Sequence, residues 1–128
     1  MVELALIAAL RDKTAIANRF YPLVVPEGST FPCATYQRIT TRRYPTFNGE
    51  ANLKTPKIQL DVYSRSYGEA KAIAESILDT IGSAQGKIGD ATDFVNGASV
   101  VITNEFDAYE QDTKRYRVVI EIEVTHKT

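Results

Sequence analysis

A chain of 128 residues fits one domain spanning 1–128, large enough to hold its own core. It is 44% hydrophobic and 24% charged, a soluble globular balance, and its net charge of −1 implies no bulk attraction to nucleic acid or a membrane. A single cysteine, Cys33, rules out an intrachain disulfide and suits a reducing compartment.

Residues 2 to about 11 read as a short helix, with Leu4, Ile7 and Ala8 on one face and Leu6 and Leu10 beside them. Its apolar run is broken by Glu3 and Arg11 and lacks a basic start and a cleavage site, so no signal peptide is expected. Asp12 either ends the helix or opens a further turn through Ile16 to Phe20. Pro22 stops it in both cases, because the residue before a proline is pushed out of the α region. Pro22, Pro26, Gly28 and Pro32 make the next stretch a structured loop.

A first strand is expected over Cys33–Thr41, rich in Thr, Tyr and Ile. Arg42–Thr55 then reads as a long connection containing Pro45 and an Asn48-Gly49 turn signal. A loop of ~14 residues in so small a domain is either functional or disordered. The second strand, Pro56–Ser64, alternates Ile58, Leu60 and Val62 with Gln59, Asp61 and Tyr63.

Ser66-Tyr67-Gly68-Glu69 has the form of a capping box, in which the glutamate reaches back to the Ser66 amide. Ala70, Ile73, Ala74, Ile77, Leu78 and Ile81 then recur at helical spacing, and Gly82 supplies the stop. Ser83–Gly97 reads as loop. A third strand over Ala98–Tyr109 places Val100, Ile102 and Phe106 on one face, and Glu110–Thr113 turns the chain. The fourth strand, Lys114–His126, sets Tyr116, Val118, Ile120, Ile122 and Val124 against Arg117, Glu121, Glu123 and Thr125. The expected fold is α+β in two layers, a four-stranded, mainly antiparallel sheet with two helices on one face.

Chemistry-bearing residues are few. Cys33 and His126 are the only candidates for a thiol–imidazole pair of a small α+β hydrolase. They read better as a small strand residue and a strand end. Glu105, Asp107, Glu110 and Asp112 lie close in sequence without the glycine-bearing loop of a calcium hand, which favours a solvated strand face over a metal site. The glycines from Gly82 to Gly89 form no phosphate cradle. No cofactor is expected. Tyrosines interleaved with Arg38, Arg42 and Arg43 suit subunit contacts better than base stacking in a chain without net positive charge.

Charge is segregated along the chain. Arg38–Lys57 holds five basic residues against Glu50, a balance of +4. Asp79–Asp112 holds seven acidic residues against Lys87, a balance of −6. Opposite blocks on one subunit suit head-to-tail contact between copies. The candidate interface residues are Arg38, Arg42, Arg43, Tyr44, Phe47, Lys54 and Lys57 with Glu105, Asp107, Glu110 and Asp112.

Five segments carry a family likeness: Arg19-Phe20-Tyr21-Pro22, the Pro32–Ile39 strand, Gln59-Leu60-Asp61-Val62-Tyr63, Glu69-Ala70-Lys71-Ala72, and Tyr109-Glu110 before the last strand. In order and spacing they resemble the tail-completion, or tail-terminator, proteins of long-tailed bacteriophages. Cys33 stands where that family often has a valine or similar residue. The resemblance covers nearly the whole chain. It implies a non-enzymatic virion subunit that forms a ring, six copies in the family, at the head-proximal end of the tail. The implied partners are further copies, the tail tube protein and a head-side connector, with assembly in the host cytoplasm. DNA would pass through the lumen without specific binding, and no membrane is involved. A neck or connector ring subunit on the head side is the neighbouring alternative.

Overall fold

The computed structural model describes residues 2–11, 16, 19–46, 49–82, 86–89 and 94–127. Helix α1 (Val2–Leu10) opens the chain. The strands β1 (Phe20–Pro22), β2 (Cys33–Thr46) and β3 (Gly49–Ser64) follow, then helix α2 (Tyr67–Gly82), then β4 (Gly86–Gly89), β5 (Phe94–Glu110) and β6 (Arg115–Lys127). The sheet order is β1-β2-β3-β6-β5-β4. The expected four strands are the long antiparallel body, β2-β3-β6-β5. To them are added a short parallel strand, β1, at one edge and a short antiparallel strand, β4, at the other.

The alternation of β3 and β6 builds the core. Ile58, Leu60 and Val62 lie opposite Ile122, Ile120 and Val118. All six are fully buried and meet Ala70, Ile73, Ala74, Ile77 and Ile81 of α2 and Val2, Ala5, Leu6 and Leu10 of α1 in one cluster. Both helices therefore cover the same face. Each fully buried branched side chain contributes roughly 1.5–3 kcal/mol.

Several local expectations are corrected. Helix α1 buries Val2, Ala5, Leu6, Ala8 and Leu10; of the expected face Ala8 is buried and Ile7 half-buried, while Leu4 stays 39% exposed. The helix is apolar almost all round, so spacing alone cannot choose its face. Its one charged residue, Glu3, pairs with Arg38 on β2. Phe20–Pro22 does not close a helix but lies parallel to Ala34–Tyr36. An edge strand tolerates Pro22 because it need not donate a ladder bond. The extension of the first helix through residues 12–15, 17 and 18 falls outside the described residues.

The expected long connection Arg42–Thr55 is mostly a β-hairpin. Strand β2 continues to Thr46 and β3 starts at Gly49, with Arg42 opposite Thr55 and Thr46 opposite Gly49. The Asn48-Gly49 signal thus falls at the reversal, although Phe47 and Asn48 lie outside the described residues. Finally, Phe106 leaves the face of Val100 and Ile102. A register shift between Ile102 and Asn104 gives β5 one extra residue. Ile102 then lies opposite the core residue Ile122, but Phe106 lies opposite Val119 on the other side. Part of the expected Ser83–Gly97 loop is β4 and the start of β5; residues 83–85 and 90–93 lie outside the described residues.

The start of α2 uses a longer cap than expected. The Glu69 amide donates to Ser66 Oγ at 3.4 Å. The Glu69 carboxylate does not reach the Ser66 amide directly. It accepts from Ser64 Oγ at 2.6 Å, and Ser64 Oγ accepts from the Ser66 amide at 3.1 Å. Removing that relay with Ser64→Ala should cost about 1 kcal/mol, the scale of a lost helix cap, read as a lower urea midpoint with an unchanged slope. Ile73→Asp should abolish the cooperative unfolding transition in circular dichroism, because an unpaired charge in this core costs several kcal/mol.

Candidate assembly surface

Two stretches of strand with a single sign of charge lie on the outer sides of β2 and β5. On one side β1 covers only Ala34–Tyr36, and the Leu23 amide ends that cover by donating to the Tyr36 carbonyl at 3.0 Å. From Gln37 to Thr46, no described strand pairs with the outer side of β2. Arg38, Arg42 and Arg43 stand along this stretch. On the other side β4 covers only Phe94–Ala98, and no described strand pairs with the outer side of β5 from Val101 to Glu110. Glu105, Asp107 and Glu110 stand there, with Val101, Ile102, Phe106 and Tyr109 all exposed.

Neither block forms a single-faced patch. Arg38 sits on the helix side, where it pairs with Glu3, whereas Arg42 reaches Glu123 on the opposite side at 3.8 Å. Lys54 is opposite Arg43 and His126, and Lys57 is opposite Thr40 and Glu123. Asp112 lies in the turn between β5 and β6. Tyr44 lies within β2, and Phe47 falls outside the described residues. Arg38, Arg42 and Arg43 share the outer side of β2, and Glu105, Asp107 and Glu110 share the outer side of β5, while Lys54 and Lys57 lie on the central β3.

The acidic edge is partly neutralised from within the subunit. Tyr67 donates its hydroxyl to Asp107 Oδ2 at 2.7 Å, and Lys71 Nζ lies 3.3 Å from Asp107 Oδ1 and 3.9 Å from Glu105 Oε1. Tyr67 and Lys71 are four residues apart, so one helix face presents both. This was a signal the sequence held but spacing alone could not aim. The Tyr67 hydrogen bond, followed by Lys71, holds the Asp107 carboxyl below its ordinary 3.8, while the same contacts raise Tyr67 and Lys71. Glu110 pairs with Arg115 at 2.7 Å.

The opposite face has a buried polar centre that the sequence did not single out. Asp61, 6% exposed, accepts from Arg117 Nη2 at 2.9 Å, from Gln59 Nε2 at 2.9 Å and from the Tyr63 hydroxyl at 3.4 Å. Burial, and secondarily the Asp61 charge, push the Tyr63 phenol up. Close by, the Arg115 guanidinium lies 4.3 Å from the Tyr63 ring centre and 5.7 Å from that of Phe31, and Arg65 also stacks on Phe31.

The thiol–imidazole pair is not formed. Cys33 is opposite Tyr63, and His126 is opposite Lys54. Those two β3 positions are nine residues apart, roughly 30 Å along an extended strand. Cys33 is fully buried, and burial raises its thiol pKa despite Arg115 and Arg19 nearby. Among the described residues no cluster of metal-ligating side chains occurs, and no helix is long and apolar enough to cross a membrane.

The described residues form a small α+β subunit in which the outer stretches of β2 and β5 carry strand charges of opposite sign. The chain belongs to the family described as tail completion protein gp17, whose model matches residues 4–127. It is thus a bacteriophage-type virion structural protein of the tail. Its fold is similar to that of a chain in the virion of a native gene transfer agent particle, with a TM-score of 0.65. The match has 13% identity and covers 95% of this chain and 84% of that one. No curated protein sequence matches.

Tyr67→Phe should raise the Asp107 pKa toward 3.8, as followed by carboxyl NMR titration. Because the folded value is depressed, this contact's stabilisation is present above about pH 3.8 and lost as pH falls through the lower folded value. An Asp107 titration unmoved by Tyr67→Phe would assign the depression to Lys71.

Proposed function

We propose that this chain forms a ring, six copies as in the resembling family, that ends the tail tube and joins tail to head. The partners are further copies, the tail tube protein and a head-side connector, and the ring sits at the head-proximal end of the virion tail. The mechanism is surface recognition, one ring face meeting the last tube ring and the other the connector, with DNA passing through the lumen. Family membership over residues 4–127 carries this reading. The opposite charge on the two sheet edges supports a head-to-tail contact, which closes when its rotation closes.

The direct test is particle assembly without this chain. Heads and tails should accumulate unjoined in electron micrographs, with tails of irregular length. Joined particles with tails of normal length would overturn the proposal. Labelled chain in complete particles should sit at the head–tail junction on the tail side; a label on the head side would instead indicate a neck ring.

Arg42→Glu combined with Arg43→Glu should leave the unfolding midpoint close to the parent's, since exposed charge pairs contribute only about 0–1 kcal/mol. The same variant should lower the yield of joined particles. The gap between variant and parent should narrow as salt rises, because screening weakens the parent's own contacts.

A further inference from the structure

We propose that the ring is closed by β-augmentation: the free outer edge of β5, Val101–Glu110, receives the free outer edge of β2, Gln37–Thr46, of a second copy of this chain. The inference rests on the ring-subunit reading and names the surface that makes the ring.

Three observations carry it. The first is the edges themselves. Two long stretches of strand present backbone groups that no described strand takes up on their outer sides. Such rows are templates for another strand. The β5 edge is also apolar where an edge normally is not, with Val101 56%, Phe106 46% and Tyr109 48% exposed, and Ile39 is exposed on β2.

The second observation is charge. Charged side chains on an edge usually blunt pairing of that edge with its own kind. Here β2 from Gln37 to Thr46 carries Arg38, Arg42 and Arg43 and no acid, while β5 from Val101 to Glu110 carries Glu105, Asp107 and Glu110 and no base. Each edge repels its own copy and attracts the other. The charge pattern therefore disfavours a two-fold dimer through either edge and favours a head-to-tail series.

The third observation is geometry. Strands β2, β3, β6 and β5 are joined by three antiparallel pairings, so β2 and β5 run in opposite directions. Copies repeated in one orientation therefore meet as an antiparallel pair, the more stable kind. Arg38, Ile58, Ile122 and Ile102 lie level across the sheet. The free half of β2 extends from that level toward one end of the sheet, and the free half of β5 toward the other. Bringing them together shifts each copy by about six residues, roughly 20 Å along the strands. The repeat of four strands is roughly 19 Å wide. The strands then tilt by about 45° to the ring axis, within the range of closed barrels. The same shift carries β1 and β4 past the ends of the paired segment, where an unshifted contact would bring them into collision. A continuous sheet also puts every helix layer on the same wall of the ring.

The test uses two charge-altered variants of the full chain and the parent, followed by light scattering and hydrogen exchange. The first variant, Glu105→Lys with Asp107→Lys, turns the β5 edge from three acids to two bases against Glu110 alone, so both of its edges are basic. The second, Arg42→Glu with Arg43→Glu, has two acidic ones. Each alone should stay monomeric while folding like the parent, and an equimolar mixture should regain the mass of the parent assembly. On assembly, outward amides in both Gln37–Arg43 and Val101–Glu110 should slow by about tenfold or more. A parent that does not self-associate, or a mixture that stays monomeric, would overturn the edge pairing. So would an assembly whose two edges exchange as fast as in the monomer. If tail joining is normal in that last case, the tail role stands and the copies meet elsewhere. If particles join without the chain, the tail role itself fails.

Discussion

Everything in this fold hangs on the central antiparallel pair, β3 against β6. Its three matched rungs, Ile58 with Ile122, Leu60 with Ile120 and Val62 with Val118, make one apolar face. Because strand side chains alternate with a period of two, the residues between them are committed to the other face. That choice fixes where the helices must sit. It also fixes that β2 and β5 are added outward from the centre, and so which strands end with free edges.

The central pair was also the part most legible in the sequence. Clean alternation in Pro56–Ser64 and Lys114–His126 and a capped apolar stripe over Ser66–Gly82 are strong, local and mutually consistent signals. The errors came where local signals are weak or where a distant contact decides. An all-round apolar α1 shows no preferred face in its spacing, and only its packing against the core selects one. The extra residue near Thr103 moves Phe106 to the other side of the sheet, and a bulge has no composition of its own to announce it. The hairpin arm was hidden because Arg42–Thr55 is polar and holds Pro45. That marks a central strand as unfit, but an edge strand tolerates both.

The charge blocks teach a related lesson. Their segregation was visible in the sequence, but not how they would be arranged. In the structure each block is split between two faces and partly answered by its own subunit, as Asp107 is by Tyr67 and Lys71, and Arg42 is by Glu123. Exposed pairs of this kind contribute little to stability and are screened by salt. Their worth lies in orientation. They hold side chains along the two rims of the sheet and leave each rim with one sign of strand charge.

The polar centre on the face away from the helices bears on the same architecture. Asp61 is almost fully buried there, held by Arg117, Gln59 and Tyr63. A buried ion pair is weak evidence for stability, since desolvation offsets much of its attraction. Its effect on register is stronger. A slip of β3 by one residue would carry Asp61 into the layer of Leu60 and Val62, beneath α2, away from its three partners. An unpaired carboxylate there would cost several kcal/mol. The same slip would turn Leu60 and Val62 to the outer face. Apolar and polar residues thus reject the same error from opposite sides of the sheet. A fixed register in β3 keeps the hairpin of β2 and β3 at one height relative to β5. Assembly through sheet edges needs that constancy, because the offset between the free halves of β2 and β5 sets the tilt at which successive copies meet.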